Sequence, residues 1–294
     1  MFSQTNFPVI FICISANRFE VGTAIFTDSV YANKILSVEV GLGIDSSAEI
    51  LRVARIFEAI NTAFSGLQSY YAGLDTSIQS EGLSITHLLP APSLLPSSKG
   101  TMPSLKFLRK LNQFDVFKPL KEIDNPNRSH GLYLAEMTEG NQSKRDVVVK
   151  FAVRYNDEAH RLLAGQRLAP ELHACIPVMG GVFMVVMDFV QGQALQDDCP
   201  RIVYECVKKA IGILHDHDYV FGDLREPNIL NLVTEKRGML VDFDMVGRHK
   251  VDRYPASLND EDIVWPDGVT RNGIMDKQHD LALLKKLEKR MIEV

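Results

Sequence analysis

Three polar side chains suited to acid–base chemistry or to holding a divalent cation lie close together in the last third of the sequence. Asp223 and Asn228 are five residues apart in FGDLREPNIL, and an apolar segment follows them. Asp242 comes 19 residues after Asp223, in VDFD, at the end of a second short apolar segment. Carboxylate and amide oxygens on adjacent short strands suit Mg²⁺, which takes a few protein oxygens and shares the rest of its shell with phosphate. Asn228 and Asp242 are therefore of the residue types that suit magnesium.

A lysine at the end of an apolar run supplies the complementary charge. Lys150 closes the run VVVK, so its ammonium lies beside apolar residues. A charge in such a place costs free energy unless an anion is nearby. Nucleotide phosphates would be such an anion, although many strands end in lysine because they reach water.

A further feature is MDFVQG, at 187–192, where an apolar strand runs into a turn that contains glycine. The backbone amides and carbonyls of such a turn can contact a flat base such as adenine. An ordinary strand-to-helix turn has the same pattern. The order of the features is more informative than any one of them: a lysine strand, a helix with a glutamate, this turn, D-x4-N and D-F-D.

FGDLREPNIL resembles the catalytic loop of protein kinases, HRDxxxxN, and VDFD resembles their DFG motif. The resemblance implies that Asp223 is the catalytic base that orients the accepting hydroxyl. It implies that Asn228 and Asp242 ligate magnesium and that Arg225 contacts the transferred phosphate. The pair Gly222-Asp223 is similar to the HGD form of small atypical kinases and of aminoglycoside- or choline-type kinases.

The resemblance covers roughly residues 115–294 and is closest to the fungal-type protein-kinase-domain proteins, a divergent group from mushroom-forming fungi. The segments KFAVRYNDEAHRLLA, LAPEL and MVVMDFVQG are similar to that group. The resemblance implies that ATP and magnesium are cofactors. Lys150 would then hold the α- and β-phosphates, and the backbone at Asp188 and Val190 would contact the base.

Two more roles come from the resemblance. A helix glutamate pairs with the strand lysine in the family, and Glu158 is the best candidate, although it follows Lys150 by only eight residues. His160 and Glu171 are alternatives. Asp280, in HDLALL, resembles the buried aspartate that braces the catalytic loop. The alternative for Asp280 is an exposed aspartate near a helix start, where the helix dipole stabilises it.

The sequence also departs from the kinase pattern. The glycine-rich loop is absent, and KEIDNPNRSHGLYLAE stands in its place with Gly131 alone. Backbone amides that approach phosphates closely need glycine, so a weaker grip on ATP is expected. Phe221 replaces the usual histidine, and Asp244 replaces the DFG glycine. There is no APE motif, and the usual C-terminal substrate platform is missing.

The leading functional hypothesis is a Mg- and ATP-dependent phosphotransferase, a protein Ser/Thr kinase. One alternative is a pseudokinase that binds nucleotide or protein partners, as the missing glycine loop and Asp244 suggest. Another is a small-molecule kinase, as Gly222-Asp223 suggests. The segment HDHD at 215–218 suggests a metal phosphohydrolase as a further hypothesis. However, metal ligands on one helix face need i, i+4 spacing, and these residues are adjacent.

The elements around these motifs predict an α+β fold. Residues 1–86 read as a small α/β module of strands and one helix, with Ser46 and Glu49 as a capping box. Residues 87–104 are rich in proline and serine and read as a linker. Residues 105–294 read as a two-lobed protein-kinase-like domain with a minimal C-terminal lobe. The apolar stripe of the first helix is Ile50, Val53, Phe57, Ile60, Phe64, Leu67 and Tyr71.

Composition narrows the partners. The net charge is −5, so the chain lacks the basic surplus typical of nucleic-acid or anionic-membrane binding. The apolar run Val9 to Ile14 is too short to span a membrane. The four cysteines lack a CxxC pair and read as buried free thiols. We expect an intracellular protein, cytoplasmic or nuclear, that binds ATP and a protein substrate. The module at 1–86 is expected to bind a protein partner.

Overall fold

The computed structural model describes residues 5–26, 30–39, 47–74, 89–95, 101–111, 131–140, 143–196 and 198–292. The chain divides into two compact units, one made largely of residues up to Pro90 and the other largely of residues from Ala91 onward. The division falls within 87–104. No helix in the described ranges is long and apolar enough to cross a membrane.

The first unit holds three antiparallel strands and one long helix. Its elements are β1 (Val9–Ser15), β2 (Arg18–Phe26), β3 (Val30–Glu39) and α1 (Ser47–Ala72). Phe19 on β2 is buried, and its ring centroid lies 5.3 Å from that of Phe57 on α1. The helix therefore packs on the sheet, as its apolar stripe predicts.

The stripe is only partly covered. Its half-buried members are Val53, Ile60, Leu67 and Tyr71, and its exposed members are Ile50, Phe57 and Phe64. Ser46 and the side chain of Glu49 lie outside the described residues, so the capping box stays a prediction. All four cysteines are free, but only Cys199 is buried and Cys13 is exposed. The expectation that every thiol is buried is therefore wrong.

The second unit begins with a five-stranded antiparallel sheet in the order β4-β5-β6-β8-β7. Its strands are β4 (Ser104–Lys110), β5 (Gly131–Thr138), β6 (Lys144–Ala152), β7 (Leu172–Val178) and β8 (Val182–Asp188). The helix α2 (Asp157–Ala164) follows β6, and the Asn156 side chain caps it by accepting from the Ala159 amide at 3.0 Å. Buried β-branched side chains such as Val147, Val149 and Val186 form the core of this sheet.

The rest of this unit is mostly helix and short strand pairs. Its elements are β9 (Gln193–Ala194), β10 (Cys199–Pro200), α3 (Arg201–Asp216), β11 (Tyr219–Val220), β12 (Ile229–Leu232), β13 (Arg237–Leu240), β14 (Gly247–Arg248), α4 (Lys277–Glu288) and β15 (Met291–Ile292). α3 buries Val207 and Leu214 against Leu284 of α4 and against Phe221. The fold is α+β, with a sheet-rich part followed by a helical part, as the sequence predicts.

Candidate active site

Asp280 fixes the backbone of the loop that carries the motif residues. Its carboxylate is fully buried and accepts hydrogen bonds from the amides of Phe221 at 2.8 Å and Gly222 at 2.9 Å. His215 Nε2 lies 3.0 Å from the same carboxylate. Asp280 is therefore a buried brace, as the resemblance implies, and is not an exposed helix-start residue.

Gly222 is the residue that lets this loop turn. Its φ is +79°, a backbone conformation that residues other than glycine rarely adopt. A Cβ atom at this position would also lie 2.7 Å from Cε of Met275. The turn and the crowding together explain a glycine immediately before Asp223.

Asp223 and Asn228 are both buried in the loop that follows. The two oxygens of Asp223 accept from the Arg225 guanidinium, from Nε to Oδ1 and from Nη2 to Oδ2, the latter at 2.8 Å. Asn228 donates its side-chain amide to the Asp223 carbonyl at 2.9 Å. The Asn228 side-chain oxygen has no hydrogen-bond partner within the described chain. It therefore remains able to accept a cation.

Lys150 joins the sheet to the D-F-D segment. It is 4% exposed, and its Nζ lies 2.7 Å from Asp242 Oδ1 and 2.8 Å from Asp244 Oδ2. Burial lowers the pKa of Lys150, but the two carboxylates outweigh burial and raise it above its ordinary value. The lysine is therefore charged in the folded protein. The Val241 amide donates to the Asn228 carbonyl at 3.0 Å, which ties this segment to the loop of Asp223.

The two aspartates beside Lys150 differ in their electrostatics. Burial raises the pKa of Asp242, but the Lys150 ammonium more than offsets burial, so the pKa is lowered. Burial, followed by repulsion from Asp242, raises the pKa of Asp244 to about 7. Oδ1 of Asp244 is buried without a hydrogen-bond partner, the one side-chain oxygen or nitrogen of this kind in the described ranges. Asp242 and Asp244 both contact the Lys150 ammonium, and the second oxygen of Asp244 remains able to accept a cation.

The expected ion pair between Lys150 and Glu158 is not formed. The Glu158 side chain is 74% exposed, accepts from the Tyr219 hydroxyl at 2.5 Å, and lies 3.6 Å from Arg248 Nη2. The buried face of α2 is made by Ala159, His160 and Leu163, and Glu158 lies outside that face. Asp244 takes the position beside Lys150 that the sequence assigned to Glu158.

The two alternatives to Glu158 do not reach the lysine either. Glu171 is exposed and lies 3.9 Å from Arg145. His160 is fully buried, and its Nε2 lies 2.8 Å from the Pro170 carbonyl, so this nitrogen carries the proton. Its Nδ1 then accepts from the Tyr155 hydroxyl at 2.6 Å. Burial lowers the pKa of His160 to about 4, which keeps the ring neutral.

His160 instead supports the D-F-D segment. Its ring stacks on Phe243 with centroids 4.5 Å apart and planes 2° from parallel. The backbone amide of Asn156 donates to the Phe243 carbonyl at 3.2 Å. Sequence reasoning considered His160 only as a partner for Lys150, because a buried stacking role depends on contacts across 83 residues of chain.

Some polar groups of the turn at 187–192 already form hydrogen bonds with other parts of the chain. The Asp188 amide donates to the Glu171 carbonyl at 2.9 Å, and the Asp188 side chain lies 2.7 Å from His173 Nε2 and 3.3 Å from Arg145 Nη1. The Val190 backbone forms no hydrogen bond with the described part of the chain. Of the two residues expected to contact a base, Val190 thus has its amide and carbonyl free.

Three of the four side chains of HDHD have separate partners. His215 contacts Asp280, His217 contacts the Ile213 carbonyl at 2.9 Å, and Asp218 accepts from Lys277 at 2.6 Å. Within the ranges described, no group of three or more His, Cys, Asp and Glu side chains is arranged to hold a metal ion. A magnesium site at Asp242 and Asn228 would therefore draw on the amide oxygen and on bound phosphate.

Comparison with solved structures gives matches, whereas comparison with protein families and curated proteins gives none. Among solved structures, the chain is similar to the kinase PK-1 of the Cydia pomonella granulovirus, with 17% sequence identity and a TM-score of 0.43. The match covers 61% of this chain and 65% of the viral chain, so the chain spans less than two thirds of that kinase. The closeness to fungal-type kinases stays a prediction.

Proposed function

We propose that this chain is a Mg- and ATP-dependent phosphotransferase that acts on protein hydroxyls. The observation that carries the proposal is the contact of Lys150 with Asp242 at 2.7 Å, which joins two motif residues 92 positions apart. The Asp242 segment is in turn hydrogen-bonded to the loop of Asp223 and Asn228. A buried ammonium, two acids and an amide at one place form a charge pattern suited to a nucleotide triphosphate with its cation.

The residues fit magnesium. Asp242 and the free oxygen of Asn228 would hold it, and the unpartnered Oδ1 of Asp244 offers a further oxygen. When bound, magnesium neutralises charge on the phosphates that face it. Lys150 would bind the α- and β-phosphates, because an ammonium that is 4% exposed gains most from a strong anion. Val190 would meet the base through its backbone.

The reacting end of the site belongs to Asp223. Its carboxylate would orient the accepting hydroxyl and take its proton, while Asp280 holds the backbone of the loop. Arg225, which donates to Asp223, would reach the transferred phosphate with its remaining donors. Catalysis of this kind comes from positioning and from fixed charges, so the rigidity of the loop is part of the proposal.

One observation favours a pseudokinase as the second candidate. Both oxygens of Asp223 accept hydrogen bonds from Arg225, so an accepting hydroxyl must approach a lone pair that the guanidinium leaves open. A chain in which no hydroxyl reaches such a lone pair would bind nucleotide without transferring phosphate. The small-molecule kinase differs from the leading proposal only in its acceptor.

The test is transfer of the γ-phosphate from radiolabelled ATP, with magnesium and with magnesium chelated. Wild type, Asp223→Asn and the control Asp216→Asn, an exposed aspartate on α3, are compared on protein, peptide and small alcohol or sugar acceptors. Magnesium-dependent transfer to protein that Asp223→Asn alone abolishes supports the proposal. Transfer to small acceptors only identifies the small-molecule kinase. Nucleotide binding without any transfer identifies the pseudokinase.

A further inference from the structure

The single tryptophan of the chain lies against Arg225. The Arg225 guanidinium carbon is 5.3 Å from the centroid of the Trp265 ring, within the range of a cation–π contact. The same guanidinium donates from Nε and Nη2 to the carboxylate of Asp223. One side chain therefore links an indole ring to the proposed catalytic base, across 42 residues of sequence.

Contacts independent of Arg225 hold the indole in place. Trp265 Nε1 donates to the Asn259 carbonyl at 2.7 Å. The Asn259 side-chain oxygen accepts from the amides of Glu261 at 3.2 Å and Asp262 at 3.1 Å, which closes the turn before the tryptophan. Trp265 also packs against a buried apolar cluster of Val220, Tyr254, Leu258, Val269 and Met275. The ring is thus a fixed surface on which the guanidinium rests.

Arg271 contacts the beginning of the same loop from its end. Its Nε donates to the Leu258 carbonyl at 3.1 Å, and its Nη2 lies 2.5 Å from Asp260 Oδ1. The segment from 258 to 271 is therefore tied at several points, although it has no helix or strand. A loop built in this way can hold one aromatic ring in one orientation.

The arrangement leaves part of Arg225 available. Its side chain is a quarter exposed, and its Nη1 forms no hydrogen bond with any described residue. Without the ring, the long arginine side chain could leave Asp223 for water in many rotamers, at a gain in side-chain entropy. With the ring, the guanidinium plane stays beside Asp223 and its free edge stays in the site.

We propose that Trp265 is a positioning residue that holds the Arg225 guanidinium beside Asp223, with one donor edge free for the transferred phosphate. The inference rests on the proposed phosphotransferase function. It predicts that Trp265 affects the rate of transfer and leaves the affinity for ATP unchanged, since Lys150 and Val190 are the groups proposed to bind the nucleotide. A tryptophan that only fills the apolar cluster would affect stability and not the rate.

The first experiment measures the contact itself. Because the chain has one tryptophan, indole fluorescence reports on Trp265 alone. Arg225→Met should shift the emission spectrum and increase quenching by acrylamide, a neutral quencher, because the guanidinium that covers the ring is removed. The control Arg237→Met removes an arginine that pairs with Glu235, and it should leave the spectrum as in wild type. Identical spectra for wild type and Arg225→Met would overturn the contact.

The second experiment measures its consequence. Trp265→Phe keeps an aromatic face and should lower kcat by about 3-fold, whereas Trp265→Leu should lower it by about 10- to 30-fold, with KM for ATP unchanged. In an Arg225→Met background, Trp265→Leu should lower kcat no further, because both changes remove the same interaction. Rates are compared per folded molecule, after thermal unfolding of each variant is measured.

The outcomes separate the inference from the function beneath it. An active wild type in which Trp265→Leu keeps the wild-type kcat, or in which the two losses are additive, overturns the inference and leaves the function intact. A wild type that transfers no phosphate overturns the proposed function, and the inference with it.

Discussion

Lys150 contacts Asp244, at 2.8 Å, and does not contact Glu158. The acid that accompanies the lysine therefore comes from the D-F-D segment itself and not from the helix after β6. In the family pattern that position holds a glycine, so the carboxylate is a departure that changes the charge of the site. The departure has consequences for stability, for pH dependence and for nucleotide binding that can each be measured.

Asp244→Asn should change the pH dependence of stability. Burial and Asp242 raise the pKa of Asp244 from 3.8 to about 7 in the folded protein. A raised pKa means that the folded state favours the protonated form, so its contribution is present below pH 3.8 and is lost as the pH rises through about 7. Urea unfolding of wild type and variant across this range should show wild-type stability falling relative to the variant. Parallel curves would contradict the prediction.

Lys150→Met should destabilise the fold. It removes the cation from two carboxylates in the interior and should lower the free energy of unfolding by about 3 kcal/mol at neutral pH. Lys144→Met is the matched control, since this lysine lies on the same strand, is 62% exposed and pairs with Glu136. It should cost less than about 1 kcal/mol. Equal losses for the two variants, measured by urea unfolding, would show that the buried pairs contribute no more than the exposed pair.

Glu158→Gln should leave the nucleotide site intact. The carboxylate is mostly exposed and contacts Tyr219 and Arg248, not Lys150. The expected results are ATP affinity equal to wild type by calorimetry and a stability change below about 1 kcal/mol. A loss of ATP affinity of tenfold or more, on the order of 1.4 kcal/mol, would instead place Glu158 with Lys150 when nucleotide is bound.

Asp280→Ala should disrupt the loop of Asp223. The change leaves the buried amides of Phe221 and Gly222 without an acceptor, at about 1–3 kcal/mol each. Asp280→Asn keeps one acceptor oxygen and should cost less than Asp280→Ala. Thermal unfolding and phosphate transfer are measured together. Unchanged stability in Asp280→Ala would show that water replaces the carboxylate.

Sequence patterns predict those parts of the candidate site whose residues are close together in the sequence. Asp223 and Asn228 are close because their spacing of five fits one loop, and Asp280 lies in a short recognisable segment. Glu158 does not contact Lys150 in the structure, because the direction of a helix side chain depends on which face of α2 is buried. The contact of Trp265 with Arg225 depends on a loop without regular structure.

The same division holds for the fold. The strand that contains Lys150, the helix that contains Glu158 and the strand before the turn at 187–192 are all present, because apolar runs and apolar periodicity are local. The sheet order β4-β5-β6-β8-β7 and short pairs such as β11 with β14 depend on contacts distant in sequence. The apolar stripe of α1 shows a further limit, since periodicity locates an apolar face but does not say how much of it is covered.

The most direct test of the account is calorimetric binding of ATP, with magnesium, to wild type, Lys150→Met, Asp242→Asn and the control Lys144→Met. If the charges around Lys150 form the nucleotide site, wild type and Lys144→Met bind with equal affinity. Lys150→Met and Asp242→Asn should each lose at least tenfold, and the loss for Asp242→Asn should disappear when magnesium is chelated. Equal affinity in all four proteins, or no binding to wild type, would contradict the account.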